Sequence, residues 1–350
     1  MRGDRRGALR PEGPRRAYVR AGHGRGDPHA DRRIPHEGHL RAHPHGRGDL
    51  RHGPHPPLLR GHARPRRLER AVLRLQRPLP RARRAVLPAP GGAARAARPR
   101  EDTMSVRLAG KRCLVTGGSR NLGRAITMAF ARGGARVAFT YHERDDAAEE
   151  TRGALEAAGA TPLVLKGSVS DAAHVTAAVK AVEAAYGGID VLVNNAALTQ
   201  VLPIALLEEA EWDAAMDTNV KGPYLFARAA LRSMIRQKKG HILNVGSFGA
   251  DRVLDAPVHY AASKAALVGF SLALAKEVGR YGVAVNCLVP GLLETGLSAR
   301  LPKHRVESYV AQSALGRLGT VEEVADLAAW LVSDENSFMT GGQVVIDGGL

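Results

Sequence analysis

Two regimes of hydrophobic and polar positions divide the chain. From Met104 to the end, short apolar runs alternate with longer stretches of helical period. Strands are predicted at 112–116, 136–140, 162–165, 191–193, 241–245, 283–288 and 343–346. Helices are predicted at 122–132, 145–158, 171–186, 208–236, 322–331 and in the segment bearing Tyr260, up to about Arg280. A further helix around Ser298 to Tyr309 lies where a lid would sit. Strand–helix alternation of this kind predicts an α/β domain of about seven parallel strands with helices on both faces. In such sheets ligands bind beyond the carboxyl ends of the strands.

Residues 1–103 show only the isolated apolar islands Ala71-Val72-Leu73 and Ala85-Val86-Leu87. They hold 26 Arg, no Lys and 9 acidic residues, with 14 of the 20 Pro and 9 of the 14 His. Their +17 equals the net charge of the whole chain, so 104–350 is neutral. Such a segment cannot bury enough apolar surface to offset its ordering entropy and is expected to be disordered. An Arg-rich nucleic-acid tail and a transit peptide are two readings, although transit peptides are Ser-rich and this segment has no Ser. The Arg-Gly-Asp triplets at Arg2, Arg25 and Arg47 are accidents of composition. The composition fits best with GC-rich DNA read upstream of a true start at Met104.

The 247 residues from Met104 suffice for one large domain. Cys113 and Cys287 lie in apolar strand-like runs and are expected to be buried free thiols. No run approaches the roughly 20 apolar residues of a membrane span. The domain is read as soluble and cytoplasmic, and no metal is called for.

Tyr260 and Lys264, four apart, share one helix face. A lysine ammonium beside a phenol favours phenolate, so Lys264 is expected to lower the Tyr260 pKa and tune it for proton exchange with a carbonyl oxygen. Thr116-Gly117-Gly118-Ser119-Arg120-Asn121-Leu122-Gly123 joins the first strand to the first helix. Glycines there let the backbone approach a pyrophosphate at the helix N-terminus.

These motifs resemble the short-chain dehydrogenase/reductase family over all of 104–350. Thr116-Gly117-x-x-x-Asn121-x-Gly123 is similar to its T-G-x-x-x-G-x-G loop, with Asn121 at a glycine position that a left-handed Asn tolerates. Asn194-Asn195-Ala196-Ala197 is similar to N-N-A-G. Asn219, and Ser247 thirteen residues before Tyr260, match the family's positions. So do Pro290-Gly291-x-x-x-Thr295 and the C-terminal Met339-Thr340-Gly341-Gly342 and Asp347-Gly348-Gly349. The resemblance implies a single Rossmann-like doubly wound domain that transfers hydride between a nicotinamide and a carbonyl carbon. It assigns Ser247 to orienting the carbonyl and Tyr260 to delivering the proton. Lys264 would lower the Tyr260 pKa and bind the nicotinamide ribose, and Asn219 would hold a water that links Lys264 to solvent.

Implied cofactor contacts are Gly117, Ser119, Arg120, Asn121, Leu122, Gly123, Tyr141, Ser168, Val169, Asn195, Ala196, Tyr260, Lys264, Pro290, Gly291 and Thr295. Strand two ends Thr140-Tyr141-His142 without an acid at the key place, and Arg120 sits in the glycine loop. NADP(H) is therefore expected over NAD, with Arg144 and His142 as further sources of charge. Ser168-Val169 stands where the family has Asp-Val.

The segment from Gly291 through Arg300 to Gly319 looks like that of 3-oxoacyl-acyl-carrier-protein reductases. A 3-oxoacyl thioester is thus the expected substrate, for fatty-acid or polyketide assembly. Lys238, Lys239 and Arg280 are candidates for docking an acidic carrier protein. The alternative is a free alcohol, sugar or small ketone. A silent cofactor-binding regulator is disfavoured by the presence of Tyr260 and Lys264, and a nucleic-acid binder by the neutrality of 104–350. Small residues Ala261, Ala262, Ala265 and Ala266 suit the homotetramer usual among relatives.

Overall fold

The computed structural model describes residues 107–250, 256–296 and 298–350. The disorder and the upstream-start reading of 1–103 lie outside those residues.

Seven parallel strands run β1 (Arg112–Val115), β2 (Arg136–Tyr141), β3 (Leu163–Lys166), β4 (Val191–Asn194), β5 (Gly240–Val245), β6 (Val283–Pro290) and β7 (Gln343–Ile346). Their spatial order is β3-β2-β1-β4-β5-β6-β7. β4 and β5 are buried along their whole length, which is why they read as continuous apolar runs rather than alternating ones. The order reverses between β1 and β4, so the loops leaving them diverge and open a crevice at the carboxyl end of the sheet.

Helices α1 (Asn121–Arg132) and α2 (Asp145–Ala157) cover one face, with α8 (Val321–Leu331). Phe130, Leu155 and Val324 lead that core. Helices α3 (Ala172–Tyr186), α5 (Gly222–Gln237) and α6 (Val258–Val278) cover the other, around Val182, Phe226, Met234 and Val278. Local chemistry sets several boundaries. The Asp171 side chain caps α3, which ends at Gly187 with φ 84°, and a Thr320/Glu323 capping box opens α8.

Three expectations change. The helix expected over 208–236 is α4 (Glu209–Met216), a π-turn at Asp217–Lys221, then α5. The candidate lid is a 3₁₀ turn at Ser298–Arg300 followed by α7 (Lys303–Gln312). And among the described residues one segment, Val258–Tyr281, is long and apolar enough to cross a membrane by length and composition. In this fold its Leu274, Ala275 and Val278 are buried in the core, so the apolarity serves packing against the sheet. Cys113 and Cys287 are buried and in no disulfide, as expected.

Candidate active site

Four loops converge where the sheet order reverses. After β1, Gly117 takes φ 64° and Asn121 takes φ 47°, so the asparagine adopts the left-handed backbone expected of it. A Cβ on Gly123 would lie 2.0 Å from the Gly117 carbonyl oxygen, which excludes every other residue there. Asn195, just past β4, ties the loop: its Nδ2 donates to the carbonyls of Thr116 (3.0 Å) and Gly117 (3.1 Å). Its own N–H and that of Ala196 donate to Thr116 Oγ1. The first turn of α1 has no side-chain cap and no acidic residue. Its N–H groups are left for an anion such as a pyrophosphate.

At the far side of the crevice Tyr141 closes β2. Its hydroxyl donates to Asp145 at 2.8 Å, and Lys166 donates to the same carboxylate at 2.6 Å. Asp145 is thereby neutralised, and Glu143, the first acid after β2, lies exposed beside His142 at 3.6 Å. Arg144 is engaged with Asp146, whereas Arg120 is exposed at the start of α1. Ser168 shares its hydroxyl with Ser170 (2.9 Å), and Val169 is buried against Gly222. Gly291 donates its N–H to Ile346, and the chain beyond Pro290 and Thr295 brings Gly296 back towards the Asn121 side chain.

Ser247 follows β5, and Tyr260 and Lys264 lie on the first turns of α6. Burial pushes the Tyr260 phenol up, and its hydrogen bond with Ser247 pulls the other way. Lys264 is buried, and its Nζ donates to the Val245 carbonyl at 2.7 Å, 5.6 Å from the Tyr260 ring centroid. Burial brings this lysine down to about 8. The net lowering of Tyr260 expected from Lys264 is not found: burial raises the phenol, and Ser247 is the group that pulls it down.

Asn219 sits in the π-turn, fully buried. Its Nδ2 donates to the Leu198 carbonyl (2.8 Å) and to Ser263 Oγ (2.9 Å), and its Oδ1 accepts the Leu198 N–H (2.7 Å). The side chain expected to hold a water is committed to the loop after β4. Sequence reasoning missed Tyr309, a buried residue of α7. Its hydroxyl accepts the Leu292 N–H at 2.7 Å, and its ring meets Phe248 edge-on at 5.2 Å.

Lys238, Lys239 and Arg280 do not border this site within one chain. The two lysines precede β5 and Arg280 precedes β6, at the amino ends of parallel strands. Ser247 is at the other end of β5, roughly 20 Å of strand away. Lys239 is also paired with Asp334 at 3.0 Å.

Known proteins share this fold. The family model described as enoyl-(acyl carrier protein) reductase matches residues 117–350. The 3-oxoacyl-[acyl-carrier-protein] reductase of Thermotoga maritima is 37% identical over 248 residues, 70% of this chain and 99% of that protein. The Escherichia coli 3-oxoacyl-[acyl-carrier-protein] reductase is 34% identical over 241 residues, 69% of this chain and 97% of its own. A short-chain dehydrogenase from Burkholderia cenocepacia, solved in complex with NADP, superposes with a TM-score of 0.65. It is 36% identical, covering 69% of this chain and 98% of that one.

Proposed function

The chain belongs to the short-chain dehydrogenase/reductase family, and on that premise we propose that it is a soluble, cytoplasmic NADPH-dependent carbonyl reductase acting on a 3-oxoacyl thioester. The observation that carries the reading is the placement of Ser247 just past β5 and of Tyr260 and the buried Lys264 on the first turns of α6, at the carboxyl ends of the strands.

NADPH, when bound, supplies the hydride that reaches the carbonyl carbon. The chain does the rest. Gly117, Ser119, Asn121, Leu122, Gly123 and Ala196 shape the loop that takes the pyrophosphate. Arg120 offers an exposed guanidinium to a 2′-phosphate, and the neutralised Asp145 does not repel one. Tyr141, Ser168 and Val169 border the adenosine side, and Asn195, Pro290, Gly291 and Thr295 the nicotinamide side.

Ser247 donates to the carbonyl oxygen and orients it. Tyr260, protonated at neutral pH because its pKa is raised, delivers the proton to that oxygen. Lys264 offers its remaining N–H donors to the ribose hydroxyls. Asn219 fixes the loop after β4, beside which a water would link Lys264 to solvent.

A carrier-protein-bound substrate is supported by the activity printed for the relatives, not by Lys238, Lys239 or Arg280. Fatty-acid or polyketide assembly would use such a substrate. Exposed Val258 and Leu272 on α6, with the exposed Ala265 and Ala266, support packing of that helix on a second copy and a homotetramer.

The family description of an enoyl reductase favours a second reading, reduction of a carbon–carbon double bond. NADPH oxidation by the full-length chain with acetoacetyl and crotonyl thioesters, and with free ketones, separates the readings. Turnover of the acetoacetyl thioester well above the others is expected. Preference for crotonyl thioester or for free ketones would overturn the assignment.

A further inference from the structure

The first turns of α6 carry two pairs of residues spaced four apart. Tyr260 and Lys264 lie on the face assigned to the chemistry. His259 and Ser263, each one position earlier, lie on the neighbouring stripe, and both are completely buried. Ser263 is joined through Asn219 to the N–H and carbonyl of Leu198. His259 Nε2 accepts the N–H of Gln200 at 3.4 Å. The loop leaving β4 is therefore fastened at Leu198 and at Gln200, to residues that flank Tyr260 on one helix.

An accepting Nε2 is a neutral imidazole with its proton on Nδ1. Burial pushes His259 below the usual imidazole range, against the pull of Glu211. His259 Nδ1, Gln200 Oε1 and Thr199 Oγ1 are buried without hydrogen-bond partners, and the tie from Gln200 to α6 is the contact of its backbone N–H with His259. Beyond it the loop exposes Val201 (38%), Ile204 (59%) and Leu206 (65%). That apolar lip leaves β4, the strand next to β5 and its Ser247.

We infer that His259 is a positioning residue. It holds the loop 198–206 against α6 so that the apolar lip meets the acyl chain, and it sets affinity for long-chain substrates without touching the reacting atoms. The acyl chain rests on the thioester reading above, but the tie itself does not.

The test compares full-length wild type with His259→Leu and His259→Gln. Amide exchange across 198–206 should be about tenfold faster in the Leu variant, the loss of one buried hydrogen bond. The KM for a long-chain 3-oxoacyl thioester should rise about tenfold, with kcat and the acetoacetyl KM within about twofold. The Gln variant, whose amide oxygen can accept from Gln200, should restore both. Unchanged exchange in the Leu variant, equal losses in Leu and Gln, or a fall in kcat for every substrate would overturn the proposal. Should His259→Leu not fold, His259→Asn takes its place. Too short to reach Gln200, it should loosen the loop where Gln does not, and equal behaviour of the two would overturn the proposal. If wild type reduces no thioester, the substrate assignment fails while the exchange result still decides the tie.

Discussion

The Lys264 ammonium donates to the Val245 carbonyl at 2.7 Å while lying 5.6 Å from the Tyr260 ring centroid. The lysine is anchored on the strand that carries Ser247, so the three groups of the site keep one geometry before any ligand arrives. Burial brings Lys264 from 10.5 to about 8. It is charged below that pH and loses its charge as the pH rises through it. The charged lysine is the stronger donor to the cofactor ribose, so the kcat/KM for carbonyl reduction, which reports the free enzyme, should be flat up to about 8 and fall above it. A pH profile of NADPH oxidation checks this, and a limb that begins only near 10.5 would contradict it.

Cofactor choice turns on Arg120. Asp145 is held by Lys166 and Tyr141, and Arg144 by Asp146, so Arg120 is the exposed base of the glycine loop. Arg120→Ala should raise the KM for NADPH by one to two orders of magnitude, the range of a charge-assisted phosphate contact. The KM for NADH should change little. Parallel measurements with the two cofactors decide, and equal effects would refute the phosphate role.

Much of this was legible in the sequence. Parallel strands buried on both faces read as apolar runs, and the glycine loop and Tyr260-x-x-x-Lys264 are local motifs whose geometry follows from spacing. The π-turn at Asp217–Lys221 was not legible, because one extra residue in a helical turn leaves no mark on a 3.6-residue period. Lys264 to Val245 and His259 to Gln200 are contacts between distant segments that no periodicity encodes. The placement of Lys238, Lys239 and Arg280 follows from the order of elements: residues that precede a parallel strand sit at its amino end, away from the site of the same chain.

Stability should carry the signature of His241. It is the second residue of β5, nearly buried, and burial with Lys111 and Lys239 nearby depresses it from 6.5 to about 4, against Asp334 and Asp190. The unfolded chain takes up this proton as the pH falls below 6.5, while the folded chain resists until about 4. Stability should therefore fall across that window, by roughly 3 kcal/mol at most. Chemical denaturation of wild type and His241→Gln at pH 7 and 4.5 checks this. The variant should show a shallower loss, and identical pH slopes would contradict it.

The central claim is that Tyr260 delivers a proton to a carbonyl oxygen. It is tested most directly by NADPH oxidation with an acetoacetyl thioester, comparing full-length wild type with Tyr260→Phe, alongside NADPH binding by fluorescence. The account predicts steady turnover by wild type and a loss of roughly 10²–10⁴-fold in the variant, with NADPH binding retained. Near-normal turnover by Tyr260→Phe would contradict it.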